Sequence, residues 1–223
     1  MTYRHEVKHV INTADMYILR QRLKAVMQPD PHAENGVYRI RSLYFDNASD
    51  KALREKTDGV NEREKFRIRL YNGDTSFICL EKKSKKNDLC AKTGAVITAE
   101  ETEKIISGEL SWMADDDRRL VAELYIKMKT EGLRPKTIVD YTREPFVFAP
   151  GNVRVTLDYN IRTGLTCTDI LSPDVLTAPA GDPAIVLEVK WDGFLPDIIR
   201  DAVQLDSRRS SAFSKYERCR VYG

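Results

Sequence analysis

Charged side chains occupy every second residue in six short segments of this chain, with mainly apolar residues between them. The segments are HEVKH (5–9), YRIRSLYFD (38–46), KFRIRLY (65–71), CLEKKSKK (79–86), VRVTLDYNIR (153–162) and LEVKW (187–191). A period of two is typical of β-strands whose two faces meet different surroundings. The sequence therefore predicts a sheet with one apolar face and one charged face.

The charged face is predicted to be mainly cationic. Its basic members are Lys8, Arg39, Arg41, Lys65, Arg67, Arg69, Lys83, Lys85, Arg154 and Lys190, with the carboxylates Glu6, Glu81, Asp158 and Glu188 among them. Like charges on neighbouring strands repel one another and destabilise a sheet. Anions that bind to this face would relieve the repulsion, so the pattern favours a polyanion-binding site.

The composition is that of a globular domain. With 223 residues, 42% of them apolar, the chain is expected to form a single domain over residues 1–223 with a substantial core. The net charge is only +2, which argues against a nucleic-acid partner. The four cysteines have no CxxC spacing, which disfavours a zinc site and indicates reduced thiols. With no apolar leader or membrane-spanning stretch, we expect a cytoplasmic protein that does not insert into a membrane.

The order of the predicted elements indicates an α+β fold. Thr13 is the expected N-cap of a helix over residues 13–28, and TAEE (98–101) predicts a capping box that begins another helix. Asn72-Gly73 predicts a hairpin turn. Most strands follow one another as antiparallel neighbours with helices inserted between them, and about eight such strands can close into a barrel.

Two orientations of the charged face remain open from these patterns. In an open sheet the charged face would lie in water, while in a closed barrel it would line a basic tunnel. Unpaired buried cations are costly, so a tunnel would have to hold water or an anion. Phosphate suits this demand, because guanidinium groups bind its oxygens in pairs. The few carboxylates could then hold a divalent metal that bridges phosphate oxygens.

The chain resembles the VTC domain, the polyphosphate polymerase branch of the triphosphate tunnel metalloenzymes. The resemblance rests on EVKHVI, RSLYFDN, KFRIRLYNG, LEKKSKK, YTREPF, VRVTLD, LEVKWDG and SAFSKYER, which span residues 6–218. It implies an eight-stranded antiparallel β-barrel that forms a triphosphate tunnel, with helices packed around the outside.

The resemblance also implies roles for individual residues. The predicted catalytic groups are Arg67, Arg69, Lys83, Arg143, Arg154 and Lys190. The predicted substrate-binding groups are Lys8, Lys92, Ser214 and Lys215, and the strand pattern adds Arg39 and Arg41. Glu188 is the expected ligand of a Mn²⁺ or Mg²⁺ cofactor.

The activity implied by the resemblance is ATP-dependent polyphosphate synthesis. The γ-phosphoryl group of ATP would be transferred to a growing polyphosphate chain, so the expected partners are ATP, triphosphate and inorganic polyphosphate. No GxxxxGK[ST] loop is present, which excludes P-loop chemistry. A tunnel hydrolase of triphosphate, nucleotides or polyphosphate stays open, as does a binding module without catalysis. RNA is the weakest alternative, because a tunnel for extended phosphate is too narrow for bases.

Overall fold

A computed structural model of the chain describes residues 4–87, 89–205 and 210–221. Its strands form one sheet, in which eight long strands are hydrogen-bonded in the order β1-β10-β8-β7-β3-β4-β5-β6. All pairings are antiparallel. The strands are β1 (His5–Ile11), β2 (Gln28–Pro29), β3 (Tyr38–Asp46), β4 (Arg63–Tyr71), β5 (Ile78–Lys86), β6 (Leu89–Ile97), β7 (Arg134–Phe148), β8 (Val153–Thr163), β9 (Ala178–Pro179) and β10 (Ile185–Trp191).

The sheet curls until its two edge strands meet. The backbone N–H of Arg4, just before β1, donates to the carbonyl of Cys90 on β6 at 3.1 Å, and the reverse bond measures 3.4 Å. Farther along β1, Ser211 donates its backbone N–H to the carbonyl of Lys8 at 2.8 Å. The segment before the last helix therefore covers part of the β1 edge. The predicted α+β fold with a curled antiparallel eight-stranded sheet is confirmed.

Four of the six helices in the described part of the chain cover the apolar outer face of this sheet. The six helices are α1 (Thr13–Val26), α2 (Lys51–Thr57), α3 (Ala99–Ser107), α4 (Arg119–Thr130), α5 (Asp197–Val203) and α6 (Lys215–Val221), with 3-10 turns at Ser111–Met113 and Pro150–Asn152. One buried cluster joins α3 and α4 to β4 and β5, and a second joins α1 and α5 to β8 and β10. Burial of apolar side chains on this face holds the curled sheet in place.

The helix α6 packs on the inner side of the sheet, in contrast to the helices outside. Tyr216 is fully buried and stacks on Tyr44 of β3, with ring centroids 5.0 Å apart. Its hydroxyl donates to the Asp46 carboxylate at 2.6 Å. This helix therefore closes one end of the space that the sheet encloses.

Two of the local signals place element boundaries as expected. The capping box of α3 forms between Thr98 and Glu101, and Asn72 and Gly73 both have positive φ in the hairpin turn. The predicted N-cap of α1 is wrong by one residue. Asn12 is the cap, because its side chain accepts from the backbone of Asp15 and Asp15 returns the bond.

Candidate functional site

The register of the strands decides which side chains face the enclosed space. On β4, Arg67 lies opposite Tyr44 of β3 and Glu81 of β5, and Arg69 lies opposite Ser42. Directly paired residues share one face of a sheet. The alternate residues of β4, including Ile68, pack in the outer core. The charged face is therefore the inner one, and the alternative of an open sheet with this face in water is wrong.

The enclosed space is a cavity of about 760 Å³. Among the described residues, fourteen Arg and Lys side chains line it against two carboxylates, Glu6 and Glu188. The basic residues are Arg4, Lys8, Lys56, Arg63, Lys65, Arg67, Arg69, Lys83, Lys85, Lys92, Arg143, Arg154, Lys190 and Lys215. Such an excess of positive charge in a concave space creates a strong attraction for anions.

Most of the predicted site residues lie together in this cavity. They are Lys8, Arg67, Arg69, Lys83, Lys92, Arg143, Arg154, Glu188, Lys190, Ser214 and Lys215. Arg39 and Arg41 are not among its lining, and their predicted place in the tunnel is wrong. Arg41 lies opposite Leu70 and so belongs to the outer face, where it forms an ion pair of 3.0 Å with Asp140. Arg39 is two residues away on the same face and is exposed to solvent.

Two strands, β4 and β7, supply an arginine wall, which consists of Arg67, Arg69 and Arg143. Arg67 donates to Glu81 and to the Tyr44 hydroxyl, each at 2.8 Å. Arg69 donates at 3.1 Å to the Ser42 hydroxyl. These bonds fix the planes of the guanidinium groups and leave further N–H groups for a ligand.

The third guanidinium of this wall is held by a buried carboxylate. Arg143 forms two parallel bonds of 2.7 Å to Asp158, which lies directly opposite on β8. Lys215 of α6 reaches the same carboxylate at 2.6 Å. Burial raises the pKa of Asp158, but the positive charges of Arg143 and Lys215 outweigh it and lower the pKa to about 2. Asp158 therefore stays ionised and anchors the end of α6 in the cavity.

The opposite side is a lysine wall, which consists of Lys8, Lys83 and Lys190 with the carboxylates Glu6 and Glu188. Lys8 lies 3.0 Å from Glu6 and 3.5 Å from Glu188. Lys190 lies 2.6 Å from Glu188 and 3.3 Å from Glu6, and Lys83 contacts Glu6 at 2.9 Å. The two carboxylates thus share their cations.

The charge balance keeps both carboxylates of the lysine wall ionised. Burial and the mutual repulsion of the two carboxylates raise the pKa of Glu6, but Lys83, Lys8 and Lys190 outweigh them and lower it. The pKa of Glu188 is also held well below its usual range, because Lys190 and Lys8 outweigh its burial. Both carboxylates are therefore available as oxygen ligands at neutral pH.

Two further groups of the cavity titrate near neutral pH. Burial lowers the pKa of Lys65 to about 8. Burial raises the pKa of Tyr44, but the charges of Arg67 and Arg69 outweigh it and lower the pKa to about 8. In the described part of the chain no carboxylate forms an ion pair with Lys65, and its ammonium lies 5.0 Å from the centre of the Tyr216 ring. Lys65 is thus a cation with spare capacity for an anion.

The sequence-based prediction of the site omits Glu6 and Lys65. Both share the alternating phase of residues that it includes: Glu6 precedes Lys8 by two positions, and Lys65 precedes Arg67 by two. The phase placed both on the charged face, but the pattern does not show which members of that face reach a ligand. Their proximity to the other wall residues is a consequence of the curl.

The two carboxylates of the lysine wall fit a divalent metal ion that is bound by protein and phosphate oxygens together. Within the described ranges, no group of three or more His, Cys, Asp or Glu residues gathers to form an all-protein metal site. Mg²⁺ and similar ions commonly bind through one or two carboxylates together with phosphate oxygens. Glu6 and Glu188, which share two lysines, could supply that pair once a phosphate ligand draws the lysines away.

The helices in the described part of the chain are not of the membrane-spanning kind. None of its helices combines the length and the apolar character needed to cross a bilayer.

Solved structures include proteins similar to this chain. A candidate adenylate cyclase from Bacillus halodurans is 12% identical, with a TM-score of 0.53 over 85% of this chain and 80% of that chain. The PH1012 protein of Pyrococcus horikoshii OT3 is also 12% identical, with a TM-score of 0.49 over 96% of this chain and 98% of that chain. Among curated proteins no significant match is found. The Bacillus halodurans protein shows a common fold at this level of identity.

The family itself is shown by a match along the whole described sheet. The VTC domain model matches residues 3–221, from the start of β1 to the end of α6. The match covers the strands that carry both walls of the cavity as well as the helix that closes one end of it. This chain belongs to the VTC domain family.

Proposed function

We propose that this protein binds triphosphate and inorganic polyphosphate in its cavity and transfers the γ-phosphoryl group of ATP to the end of a polyphosphate chain. The observation that carries the proposal is the imbalance of fourteen basic side chains against two carboxylates around one enclosed space. A condensed phosphate carries several negative charges on a narrow chain, so a few of its phosphate groups can neutralise the basic side chains around the cavity.

The arginine wall supports the binding step. Its guanidinium groups are pre-oriented by Glu81, Asp158 and the hydroxyl of Tyr44. A phosphate oxyanion therefore meets donors whose orientation costs little entropy on binding. Lys65, Lys83 and Lys190 provide movable point charges for neighbouring phosphate groups.

The same arrangement suits phosphoryl transfer. The reaction requires that donor and acceptor phosphates be held in line and that charge on the transferred group be stabilised. The two walls face one cavity, so an extended phosphate chain can contact both at once. Arg67, Arg69 and Arg143 would hold the donor phosphates, and Lys8 and Lys190 would neutralise the acceptor.

The proposed cofactor is Mn²⁺ or Mg²⁺, held by Glu188 and Glu6. When bound, such an ion neutralises phosphate charge and polarises the bond that breaks. The carboxylates of this chain keep their charge at neutral pH, and their lysine partners can turn to the phosphate oxygens instead. Lysine is a flexible partner whose ammonium moves readily between acceptors.

Family membership supports synthesis of polyphosphate, as do the segments through which the chain resembles the polyphosphate polymerase branch. We also place the protein in the cytoplasm, where ATP is available. All four cysteines are free thiols, which fits a reducing compartment.

The test is to incubate the purified protein with ATP and Mn²⁺ and to follow the products by ³¹P NMR. Mid-chain phosphate resonances that accumulate with time would support the proposed transfer. Orthophosphate and ADP without any mid-chain phosphate would show that water is the acceptor, and unchanged ATP would reduce the function to binding. The Glu188→Gln variant, purified in the same way, controls for contaminating kinases.

A further inference from the structure

Two polar atoms on the inner face of β8 have no hydrogen-bond partner in the described part of the chain. They are the hydroxyl of Thr156 and the Nε of Arg154, two residues apart on the same face, and both atoms are buried. Thr156 is only 2% exposed, yet it lines the cavity. Buried polar atoms in native proteins almost always have a partner, so this pair requires an explanation.

The strands on either side of Thr156 do not use its hydroxyl. Glu188 lies directly opposite on β10, but its carboxylate is held by Lys190 at 2.6 Å and approached by Lys8 at 3.5 Å. On the other side the opposite residue is Pro145 of β7, whose side chain has no polar atom. Valine has the same shape and would avoid an unsatisfied hydroxyl, so packing alone does not account for threonine here.

Arg154 is held so that its Nε stays unused. One terminal nitrogen of the guanidinium pairs with Asp30 at 3.2 Å, while the buried Nε has no partner among the residues that the structure describes. Lys190 lies directly opposite Arg154 on β10, as Glu188 does opposite Thr156. The two unused donors therefore lie beside the residues proposed to bind phosphate and metal.

We propose that Thr156 is a phosphate-binding residue, whose hydroxyl donates a hydrogen bond to an oxygen of the anion that also accepts from Arg154 Nε. This inference rests on the proposed function and adds a neutral donor to a site otherwise made of charges. An unprotonated phosphate oxygen accepts from both donors, and the subsite places that phosphate group next to Glu188.

The experiment is a calorimetric titration of the full chain with inorganic triphosphate, without metal, for wild type, Thr156→Val and Thr156→Ser. Loss of a hydrogen bond to a charged acceptor is expected to raise the Kd of the valine variant roughly ten- to hundredfold. The serine variant keeps the hydroxyl, so its Kd should stay within about threefold of wild type. Thr142→Val on β7, outside the cavity lining, serves as the matched control and should bind like wild type.

A second readout separates this role from a purely structural one. Without triphosphate, the Thr156→Val variant should melt about 2–4 °C higher than wild type, because it removes a buried unsatisfied hydroxyl. Weaker binding in a more stable protein is the signature of a group kept for its ligand. Equal triphosphate affinity of wild type and Thr156→Val would overturn the inference alone. A wild-type protein that binds no triphosphate would overturn the proposed function, and this subsite with it.

Discussion

The two walls of the cavity hold their cations in different ways. In the arginine wall the side chains of Arg67, Arg69 and Arg143 are 15%, 4% and 11% exposed. In the lysine wall the side chains of Lys8, Lys83 and Lys190 are 17%, 36% and 29% exposed, and they share two carboxylates. The first wall is buried throughout, whereas in the second wall Lys83 and Lys190 are wetter and the shared cations can exchange partners.

This difference indicates that the two walls have different roles. A guanidinium group held by a buried carboxylate presents its remaining donors in one geometry, so it suits recognition of the phosphate. Ammonium groups that share carboxylates can release them when an anion or a metal arrives. The comparison predicts that changes in the lysine wall affect turnover most, while changes in the arginine wall affect affinity.

The largest effect is expected from Glu188→Gln in the lysine wall. The amide cannot replace the negative charge proposed to hold the metal, so turnover of ATP with Mn²⁺ should fall at least about a hundredfold. Binding of triphosphate without metal should be retained or tighter, because Lys190 and Lys8 lose a competing anion. Initial rates and calorimetric titration measure the two quantities.

The matched control is Glu123→Gln, which removes a carboxylate of α4 that lies outside the cavity lining. Its turnover should equal that of wild type. Normal turnover in Glu188→Gln would show that this carboxylate takes no part in the reaction. It would also contradict the predicted difference in role between the two walls.

Arg69→Lys should produce the next largest effect. The substitution keeps the charge but loses the paired donors of a fixed guanidinium, so we expect the Kd of triphosphate to rise roughly tenfold or more. Arg41→Lys is the natural comparison, because Arg41 belongs to the same kind of alternating strand but pairs with Asp140 on the outer face. An equal loss of affinity in both variants would contradict the assignment of inner and outer faces.

The pH dependence of binding should follow Tyr44 and Lys65. Above pH 8 Lys65 loses its positive charge and Tyr44 gains a negative one, since the pKa of each lies at about 8. The triphosphate affinity of the wild type should therefore fall from pH 7 to pH 9.5 relative to a Tyr44→Phe, Lys65→Met double variant. Calorimetric titrations of both proteins at each pH give this ratio, and a constant ratio would contradict the prediction.

The stability of the free protein should change in the opposite direction. The pKa of Lys65 is lowered from 10.5 and that of Tyr44 from 10.0, each to about 8. Between pH 8 and pH 10 the folded protein therefore binds fewer protons than the unfolded chain, so these two groups raise the free energy of unfolding as pH rises. Urea unfolding at pH 8 and pH 10 should show a larger increase for the wild type than for the double variant.

The smallest effect is expected from Lys92→Ala. The Lys92 side chain is 59% exposed and pairs with Glu81 at 2.9 Å, so solvent weakens its interaction with a ligand. We expect the Kd of triphosphate to rise less than about fivefold in low salt and less still at high salt. A loss as large as that of Arg69→Lys would show that Lys92 belongs functionally to the fixed wall.

Short-range chemistry made much of the fold predictable. The capping box at Thr98 and the Asn72-Gly73 turn depend on neighbouring residues alone, so the sequence contains their full description. The error of one residue in the predicted N-cap of α1 also has a local cause. Asn12 and Thr13 can both cap a helix, and the reciprocal bond from Asp15 favours Asn12.

The residues of the candidate site were predictable only where the sequence shows which side chains of a strand face the cavity. Arg67 and Arg69 have the same alternating pattern as Arg39 and Arg41, yet the first pair lies inside the cavity and the second outside. The difference arises because Arg67 pairs with Tyr44 whereas Arg41 pairs with Leu70, a register between strands distant along the chain. A shift of one residue would exchange the two faces.

The sequence by itself determined that this protein has strands with one cationic face, together with the turns and caps that connect them. Only the tertiary structure decided that this face curls inward, that Glu6 and Glu188 share lysines, and that the Thr156 hydroxyl has no partner among the described residues. The physical reason is the range of the interactions. Alternation and capping act over a few residues, whereas pairing and curl follow from the burial of apolar clusters formed by distant segments.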